Sequence, residues 1–223
     1  GRALFDTGMH PQCRIDAAGR LGERVARIFG FEQYGAADDV KSRLESIDRD
    51  PGKVDYIVNS HLHFDHAGGN ELVPNATMVV QRPEWQAAQD PETAAKVGFF
   101  KADFDHGHPV KQVEGEHDLF GDGSVVCIPT YGHTPGHTLF ELTSSGQKFF
   151  YVADLTNVPA LFARNPDWAV LFDMNPEMAR QSRRRIFEML VKEKMMAGGF
   201  HFPFPAFGTI EPSGNGYQFM PVS

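Results

Sequence analysis

The sequence has few cysteines, no long apolar run and no excess of positive charge. Cys13 and Cys127 are the only two cysteines among 223 residues, and they form neither a Cys-x-x-Cys motif nor a disulfide-dense pattern. No apolar stretch approaches the roughly 20 residues that a membrane span requires. Lysine and arginine total 21 against 29 aspartates and glutamates, a formal charge of −8. These features predict a globular protein whose partners are neither membranes nor nucleic acids.

The length and the hydrophobic pattern indicate one domain with interleaved strands and helices. A chain of 223 residues can bury a self-sufficient core, and no repeat, low-complexity tract or linker divides it. Hydrophobic spacing alternates between about two and about 3.6 residues, which favours an α/β or α+β fold. We expect a single domain over residues 1–223 that lacks its first N-terminal strands. Cytoplasmic and periplasmic locations both stay open.

Cap and turn residues place several elements. Asp39 precedes a predicted helix with Val40, Leu44 and Ile47 on one face, and a buried strand is predicted at 54–58. From about residue 110 the pattern changes to paired strands. Gly-rich turns at 121–123 and 144–146 there predict antiparallel hairpins.

The longest helix is predicted to start after Asn175, which is a favourable cap before Pro176. Its apolar residues Ile186, Met189 and Leu190 are expected to face inward. Three arginines at 183–185 fall within this helix, and we interpret them as a solvated surface rather than a binding patch.

The segment 59–69 contains the clearest candidates for functional residues. It follows the predicted strand 54–58 and holds His61, His63, Asp65 and His66, four metal-binding side chains within six positions. Alternate side chains of an extended chain share a face, so His61 and His63 can aim two imidazoles at one ion. The following turn redirects Asp65 and His66 toward a neighbouring point. The spacing therefore predicts one loop that serves two metal ions.

The motif His61-x-His63-x-Asp65-His66 resembles the signature of the metallo-β-lactamase-fold hydrolases. Further matches follow in the expected order along the whole chain: Asp6-Thr7-Gly8, the segment 132–137, Val152-Ala153-Asp154 and His201. The resemblance implies an αββα sandwich, in the α/β (α+β) class, with a dinuclear metal site.

The resemblance also implies a ligand set. The implied ligands are His61, His63 and His133 for one ion, Asp65, His66 and His201 for the second, and Asp154 as a bridge between both. Imidazole and carboxylate donors without thiolate suit zinc, with manganese, cobalt or iron as alternatives. The family places the third-motif ligand at His133, which leaves His137 as a supporting or packing residue.

For the reaction, the resemblance implies hydrolysis by a hydroxide that bridges two divalent ions. Two ions roughly 3.5–4 Å apart lower the pKa of their bridging water toward about 7 and polarise the scissile oxygen. Asp65 is expected to accept or relay the attacking proton. A structural zinc site is typically four-coordinate and rich in cysteine. A hydrolase is thus favoured, and a non-catalytic metal-binding protein is the alternative from another class.

Two branches of the superfamily match best. N-acyl homoserine lactonases resemble this chain over 60–70 and 118–137, whereas organophosphate hydrolases of the methyl-parathion-hydrolase type resemble it over 200–205 and 214–217. We expect an ester hydrolase that opens a lactone such as an N-acyl homoserine lactone, which is quorum-quenching activity. Organophosphate triester hydrolysis is the first alternative, and hydrolysis of a thioester of the glyoxalase II type is another.

Position 157 departs from the lactonase pattern. Lactonases often carry a tyrosine three positions after the bridging aspartate, where this chain has Asn157. We predict a catalytic role for Asn157, because its amide N–H can reach the same substrate oxygen. The Thr156 hydroxyl is an alternative donor, and a role of either residue in the turn after the strand is the structural alternative. The 19 phenylalanines, several of them near the motif loops, predict a pocket for a small apolar ester, lactone or phosphotriester. A homodimer is compatible with the sequence.

Overall fold

Strand pairing distinguishes two units that contain different kinds of sheet. In this computed structural model, which describes residues 1–222, unit 1 comprises Gly1–Val113 and unit 2 begins at Glu114. Unit 1 has a four-stranded sheet and unit 2 a seven-stranded sheet. The interleaved helices and strands confirm the α/β prediction. The single domain over 1–223 stays a prediction.

The sheet of unit 1 is parallel throughout and has the order β1-β2-β3-β4. Its strands are β1 (Ala3–Phe5), β2 (Tyr56–Val58), β3 (Thr77–Gln81) and β4 (Val110–Val113). Ile57 and Met78 are paired at its centre and are fully buried. The predicted strand 54–58 begins two residues late, because Val54 ends a 3₁₀ turn over Pro51–Lys53.

Short helices connect these strands. They are α1 (Gln12–Leu21), α2 (Glu23–Ile28), α3 (Val40–Ser46), α4 (Phe64–Ala67), α5 (Arg82–Gln89), α6 (Pro91–Val97) and α7 (Lys101–Phe104), and a 3₁₀ turn covers Asn70–Leu72. The Asp39 side chain caps α3 by accepting from Ser42 N, as its position predicts. The inward face predicted for this helix is wrong at Ile47, which follows the last helical residue and is 62% exposed.

The sheet of unit 2 has the order β11-β10-β9-β8-β7-β6-β5 and is antiparallel except between β8 and β9. Its strands are β5 (His117–Asp118), β6 (Val125–Pro129), β7 (Thr138–Ser144), β8 (Gln147–Tyr151), β9 (Met196–Gly198), β10 (Phe207–Ser213) and β11 (Gly216–Pro221). The predicted hairpin at 144–146 is confirmed. Ser145 and Gly146 both have positive φ, the type I′ geometry that suits two-residue hairpins.

Unit 2 also contains the longest helix, α9 (Pro176–Glu193), together with α8 (Pro159–Phe162) and a 3₁₀ turn over Ala153–Leu155. Asn175 caps α9 by accepting from Met178 N, which confirms the predicted start. Ile186 and Leu190 enter a core with Phe150, and Met189 packs partly buried against it. Within residues 1–222, no helix combines the length and the apolar character needed to cross a bilayer.

The solvated surface predicted for 183–185 is wrong at its first residue. Arg183 is 1% exposed, while Arg185 is exposed and Arg184 is partly so. The helical rotation that directs Ile186 and Leu190 inward also turns Arg183 toward the body of unit 2. A buried guanidinium requires hydrogen-bond partners, and the partners of Arg183 lie close to the candidate site.

We predict that Leu190→Ala lowers the free energy of unfolding by about 2–5 kcal/mol, because it leaves a cavity in the core of unit 2. Urea unfolding followed by circular dichroism measures the change. The matched control is Leu171→Ala, since Leu171 is 88% exposed, and it should change stability by less than about 0.5 kcal/mol. Equal effects of the two substitutions would contradict this packing.

Candidate metal centre

The first group of predicted ligands follows the carboxyl end of β2 in unit 1. His61 and His63 lie in the extended segment before α4, and Asp65 and His66 lie in α4 itself. His61 Nε2 and His63 Nδ1 face each other at 3.0 Å. His61 and His66 are fully buried, whereas the Asp65 side chain is 18% exposed. The loop thus presents imidazoles from the interior and a carboxylate that solvent reaches.

Neighbouring groups fix the protons on both facing rings. His63 Nε2 lies 3.0 Å from the Val97 carbonyl, which can only accept, so Nε2 carries the proton. Ser60 Oγ donates to Asp6 at 2.8 Å and therefore accepts from His61 Nδ1 at 2.9 Å. His61 Nε2 and His63 Nδ1 are then left facing each other at 3.0 Å. Two imidazole nitrogens at that distance can bind one cation.

Asp6 organises this first group. Its Oδ1 accepts from Ser60 N at 2.7 Å, and its Oδ2 accepts from His66 Nδ1 at 2.9 Å. The His66 ring consequently presents Nε2, which lies 3.8 Å from Asp65 Oδ2. Asp6 is buried and has a φ of +57°. A histidine that donates its other N–H to a carboxylate is the usual arrangement of a metal-ligating imidazole.

The second group lies at one edge of the sheet of unit 2. β8 and β9 run parallel with Tyr151 paired to Gly198, and three residues beyond each of these come Asp154 and His201. Parallel strands end at the same edge, so His201 Nε2 lies 3.4 Å from Asp154 Oδ2. His133, in the loop between β6 and β7, places its Nε2 3.5 Å from the same oxygen. One carboxylate oxygen is therefore flanked by two imidazoles.

His133 is held by a carboxylate that sequence reasoning missed. Its Nδ1 donates to Asp173 Oδ1 at 3.0 Å, which leaves Nε2 for a metal ion. Asp173 follows His133 by 40 residues in a stretch without regular structure, so no sequence signal connects the two. The loop also needs Gly132, because a Cβ at this position would lie 2.2 Å from the backbone nitrogen of Ala179.

His137 and Asn157 both support Asp154. His137 Nε2 accepts from the Asp154 backbone N–H at 3.2 Å, and its Nδ1 lies 2.8 Å from Thr130 Oγ1. Asn157 Nδ2 donates to Asp154 Oδ2 at 2.7 Å. The donor predicted to reach substrate is thus directed to a carboxylate in this structure. A direct contact between Asn157 and substrate stays a prediction.

The predicted ligands therefore form two groups, four in unit 1 and three in unit 2. Their donors are imidazole and carboxylate, and the two cysteines are buried and outside both groups. Each of His61, His63, His66 and His133 has one ring nitrogen fixed by a neighbour and the other directed at a predicted ligand. This donor set fits a divalent first-row metal.

A buried ion pair adds to the electrostatics around Asp65. Arg20 Nη2 donates to Asp103 Oδ1 at 2.7 Å, and neither side chain is more than 6% exposed. Burial raises the pKa of Asp103 to about 6; Arg20 opposes that rise and the negative charge of Asp65 adds to it. The folded protein therefore binds more protons at Asp103 than the unfolded chain between about pH 4 and 6.

Comparisons with known proteins match one family and several named relatives. The family described as "Metallo-beta-lactamase superfamily" matches residues 1–193. The N-acyl homoserine lactonase AttM of Agrobacterium fabrum is 40% identical over 148 residues, 63% of this chain and 54% of that protein. An N-acyl homoserine lactonase of Bacillus sp is 31% identical over 196 residues, 87% of this chain and 74% of that protein. The chain thus spans about half the length of the AttM relative.

Solved structures are similar over most of the chain. An N-acyl homoserine lactone hydrolase with N-hexanoyl-L-homoserine bound at its catalytic metal centre has a TM-score of 0.73 and 26% identity, over 92% of this chain and 81% of that chain. The hydrolase AbOPH, described as belonging to the beta lactamase superfamily, has a TM-score of 0.76 and 25% identity, over 99% and 75%. These likenesses confirm the predicted fold.

We predict that Asp103→Asn changes the pH dependence of stability. The contribution of Asp103 to stability falls as the pH rises from about 4 to 6, because its pKa is higher in the folded state. The stability advantage of the wild type over the variant should therefore shrink across that range in urea unfolding experiments. Asp105→Asn, at an exposed residue paired with Lys101, serves as the control. An advantage that grows with pH would contradict the raised pKa.

Proposed function

The chain belongs to the metallo-β-lactamase superfamily, and on that premise we propose that it is a metal-dependent hydrolase that opens N-acyl homoserine lactones. One observation carries the proposal. The facing nitrogens of His61 and His63, 3.0 Å apart with their outer nitrogens occupied, form a ready pair of metal donors. The lactonase names of the AttM and Bacillus relatives favour a lactone as the substrate.

We propose that the two groups of ligands together hold two divalent ions, preferentially zinc. The assignment follows the family pattern: His61, His63 and His133 for one ion, Asp65, His66 and His201 for the other, and Asp154 for both. When bound, two such ions activate a water as the nucleophile and polarise the carbonyl that it attacks. The donor set without thiolate, and the carboxylate and carbonyl partners of the imidazoles, support this assignment.

The chain's own residues would then control protons and orientation. Asp65 is the partly exposed carboxylate of the first group, and we propose that it accepts the proton of the attacking water and returns it to the leaving alkoxide. Asn157 donates one amide hydrogen to Asp154. Its second amide hydrogen is available for the lactone carbonyl, which is the catalytic role proposed for Asn157.

An apolar groove in unit 2 supports an apolar acyl group on the substrate. The groove has a volume of about 570 Å³, and His201 is one of its lining residues. Its lining includes Pro159, Ala160, Phe202 and Phe219, with Arg164 and Tyr217 as polar members. A concave, largely apolar surface with a few polar groups is the usual form of a small-molecule site. We propose that the acyl chain lies here, with the lactone ring at His201.

Phosphotriester hydrolysis is the second candidate. Residues 200–205 and 214–217 resemble the organophosphate hydrolases of the superfamily, and Phe202, Pro203 and Tyr217 from these segments line the groove. The same groove would then hold the substituents of a phosphotriester. The two substrates differ in the geometry to be stabilised, a tetrahedral carbon in one and a pentacoordinate phosphorus in the other.

We predict that the zinc-loaded protein hydrolyses a long-chain acyl homoserine lactone with a kcat/KM of about 10⁴ M⁻¹s⁻¹ or more. A dialkyl aryl phosphotriester should be a much poorer substrate, and chelation should abolish both activities. Asp65→Ala should lower the lactone rate at least about 100-fold, whereas Asp105→Ala, at an exposed carboxylate, should not. The reverse substrate ratio would make the protein a phosphotriesterase. Bound metal with no hydrolysis of lactone, triester or thioester would make it a non-catalytic metal-binding protein.

We predict that Ala160→Trp, which fills the groove, raises KM for a twelve-carbon acyl homoserine lactone about tenfold or more, a loss of about 1.4 kcal/mol of binding. A four-carbon substrate should be affected less, since a shorter acyl chain contacts less of the groove. Ala95→Trp is the control, because Ala95 is an exposed helical alanine outside the groove. Equal effects on both substrates would place the acyl chain elsewhere.

A further inference from the structure

One buried guanidinium lies behind two of the proposed metal ligands. Arg183 lies in the middle of α9 and has almost no exposed surface. Its neighbour Arg184 instead reaches the surface and pairs with Asp167. Charged side chains are almost never fully buried unless they are paired and hydrogen-bonded. The partners of Arg183 therefore indicate what this residue does.

Three carbonyl oxygens accept from Arg183. Its Nε donates to Leu155 O at 2.8 Å, and its Nη1 donates to Pro166 O at 2.9 Å and to Trp168 O at 2.8 Å. Leu155 directly follows Asp154, the proposed bridging ligand, in the same 3₁₀ turn. The guanidinium consequently anchors both the backbone that carries Asp154 and the loop that contains Pro166 and Trp168.

The remaining nitrogen approaches the carboxylate that holds His133. Arg183 Nη2 lies 3.8 Å from Asp173 Oδ2, and Asp173 Oδ1 accepts from His133 Nδ1 at 3.0 Å. Burial lowers the pKa of Arg183 and the charge of Asp173 opposes this shift. Asp173 Oδ2 also accepts from Val170 N at 3.0 Å, so both oxygens are held in place.

The contacts of Arg183 with the Leu155 carbonyl and with Asp173 both affect the same pair of ligand atoms. His133 Nε2 and Asp154 Oδ2 are 3.5 Å apart, and each belongs to a residue that Arg183 restrains, one through Asp173 and one through the Leu155 carbonyl. A planar guanidinium offers five donors in a fixed fork, whereas a lysine ammonium is a point charge on a flexible stem. Holding several acceptors in a set geometry therefore requires arginine.

We propose that Arg183 is a positioning residue for the metal centre, which sets the relative placement of His133 and Asp154 and thereby the affinity for metal. This role rests on the proposed function only in that both residues are taken as ligands. Residues that orient metal ligands typically contribute about 10–100-fold to metal affinity or activity. Arg183 would do so across two ligands at once, without touching substrate.

The test compares Arg183→Lys with Arg184→Lys, the same substitution one position along α9. Arg183→Lys keeps the positive charge but removes the planar set of guanidinium donors. Arg184→Lys changes only the ion pair with Asp167 at the surface. We expect Arg183→Lys to weaken the binding of one zinc ion about 10–100-fold in a competition titration with a chromophoric chelator. It should also change the visible spectrum of the cobalt-loaded protein and lower kcat more than it raises KM. Arg184→Lys should match the wild type in every measurement.

Asp173→Asn is a second test of the proposal, since it leaves the three contacts between Arg183 and backbone carbonyls unchanged. It should weaken the binding of the same ion. Its effect and that of Arg183→Lys should be less than additive in the double variant, because the part of the Arg183 effect that passes through Asp173 to His133 is common to both. Unchanged zinc affinity and an unchanged cobalt spectrum in both variants, with only a lower Tm of the metal-free protein, would make Arg183 a purely structural residue and overturn the proposal.

The wild type separates this proposal from the proposed function. A wild-type protein that binds two ions but opens no lactone overturns the assigned substrate, while the metal titration still decides the role of Arg183. A wild-type protein that binds no divalent metal overturns both, because His133 and Asp154 are then not ligands.

Discussion

The candidate site depends on one constraint: four of its five imidazoles have one nitrogen fixed by a neighbour, so that the other nitrogen is directed at a further predicted ligand. Asp6 fixes His66, Ser60 fixes His61 and Asp173 fixes His133. A free imidazole has two tautomers and rotates about its side-chain bonds, and these hydrogen bonds remove both freedoms. Rings held in one orientation lower the entropic cost of assembling the ligands around a metal.

The sheets of the two units bring the candidate ligands together in different ways. In unit 1 the motif leaves the end of a buried parallel strand and turns at once into α4, so four ligand candidates emerge from one loop. In unit 2 the candidates are far apart in sequence. They meet because β8 and β9 are parallel neighbours, while β7 runs antiparallel to β8 and starts where β8 ends. Asp154, His201 and His133 consequently extend from one edge of that sheet.

Residues that hold the proposed ligands in place connect the candidate site to the core of unit 2. In unit 2, the Asp154 backbone N–H donates to His137, the Asp154 carboxylate accepts from Asn157, and Arg183 donates to the carbonyl of the next residue. Much of α9 is ordinary core packing around Ile186 and Leu190. The same helix supplies the guanidinium that connects this core to the candidate site. Arg183 thus connects the packing of the helix to the geometry of the site.

The features that could be predicted from the sequence are those that depend on local spacing. Such features involve only a few neighbouring residues, so they can be predicted without knowledge of the fold. Examples are the alternation of His61 and His63, the turn at 144–146 and the Asn175 cap. Features that depend on distant partners could be found only in the tertiary structure: the burial of Arg183 and the bond from His133 to Asp173. Hydrogen bonds across 15 to 40 residues leave no periodic trace in a sequence, because their partners are chosen by how strands and loops meet in space.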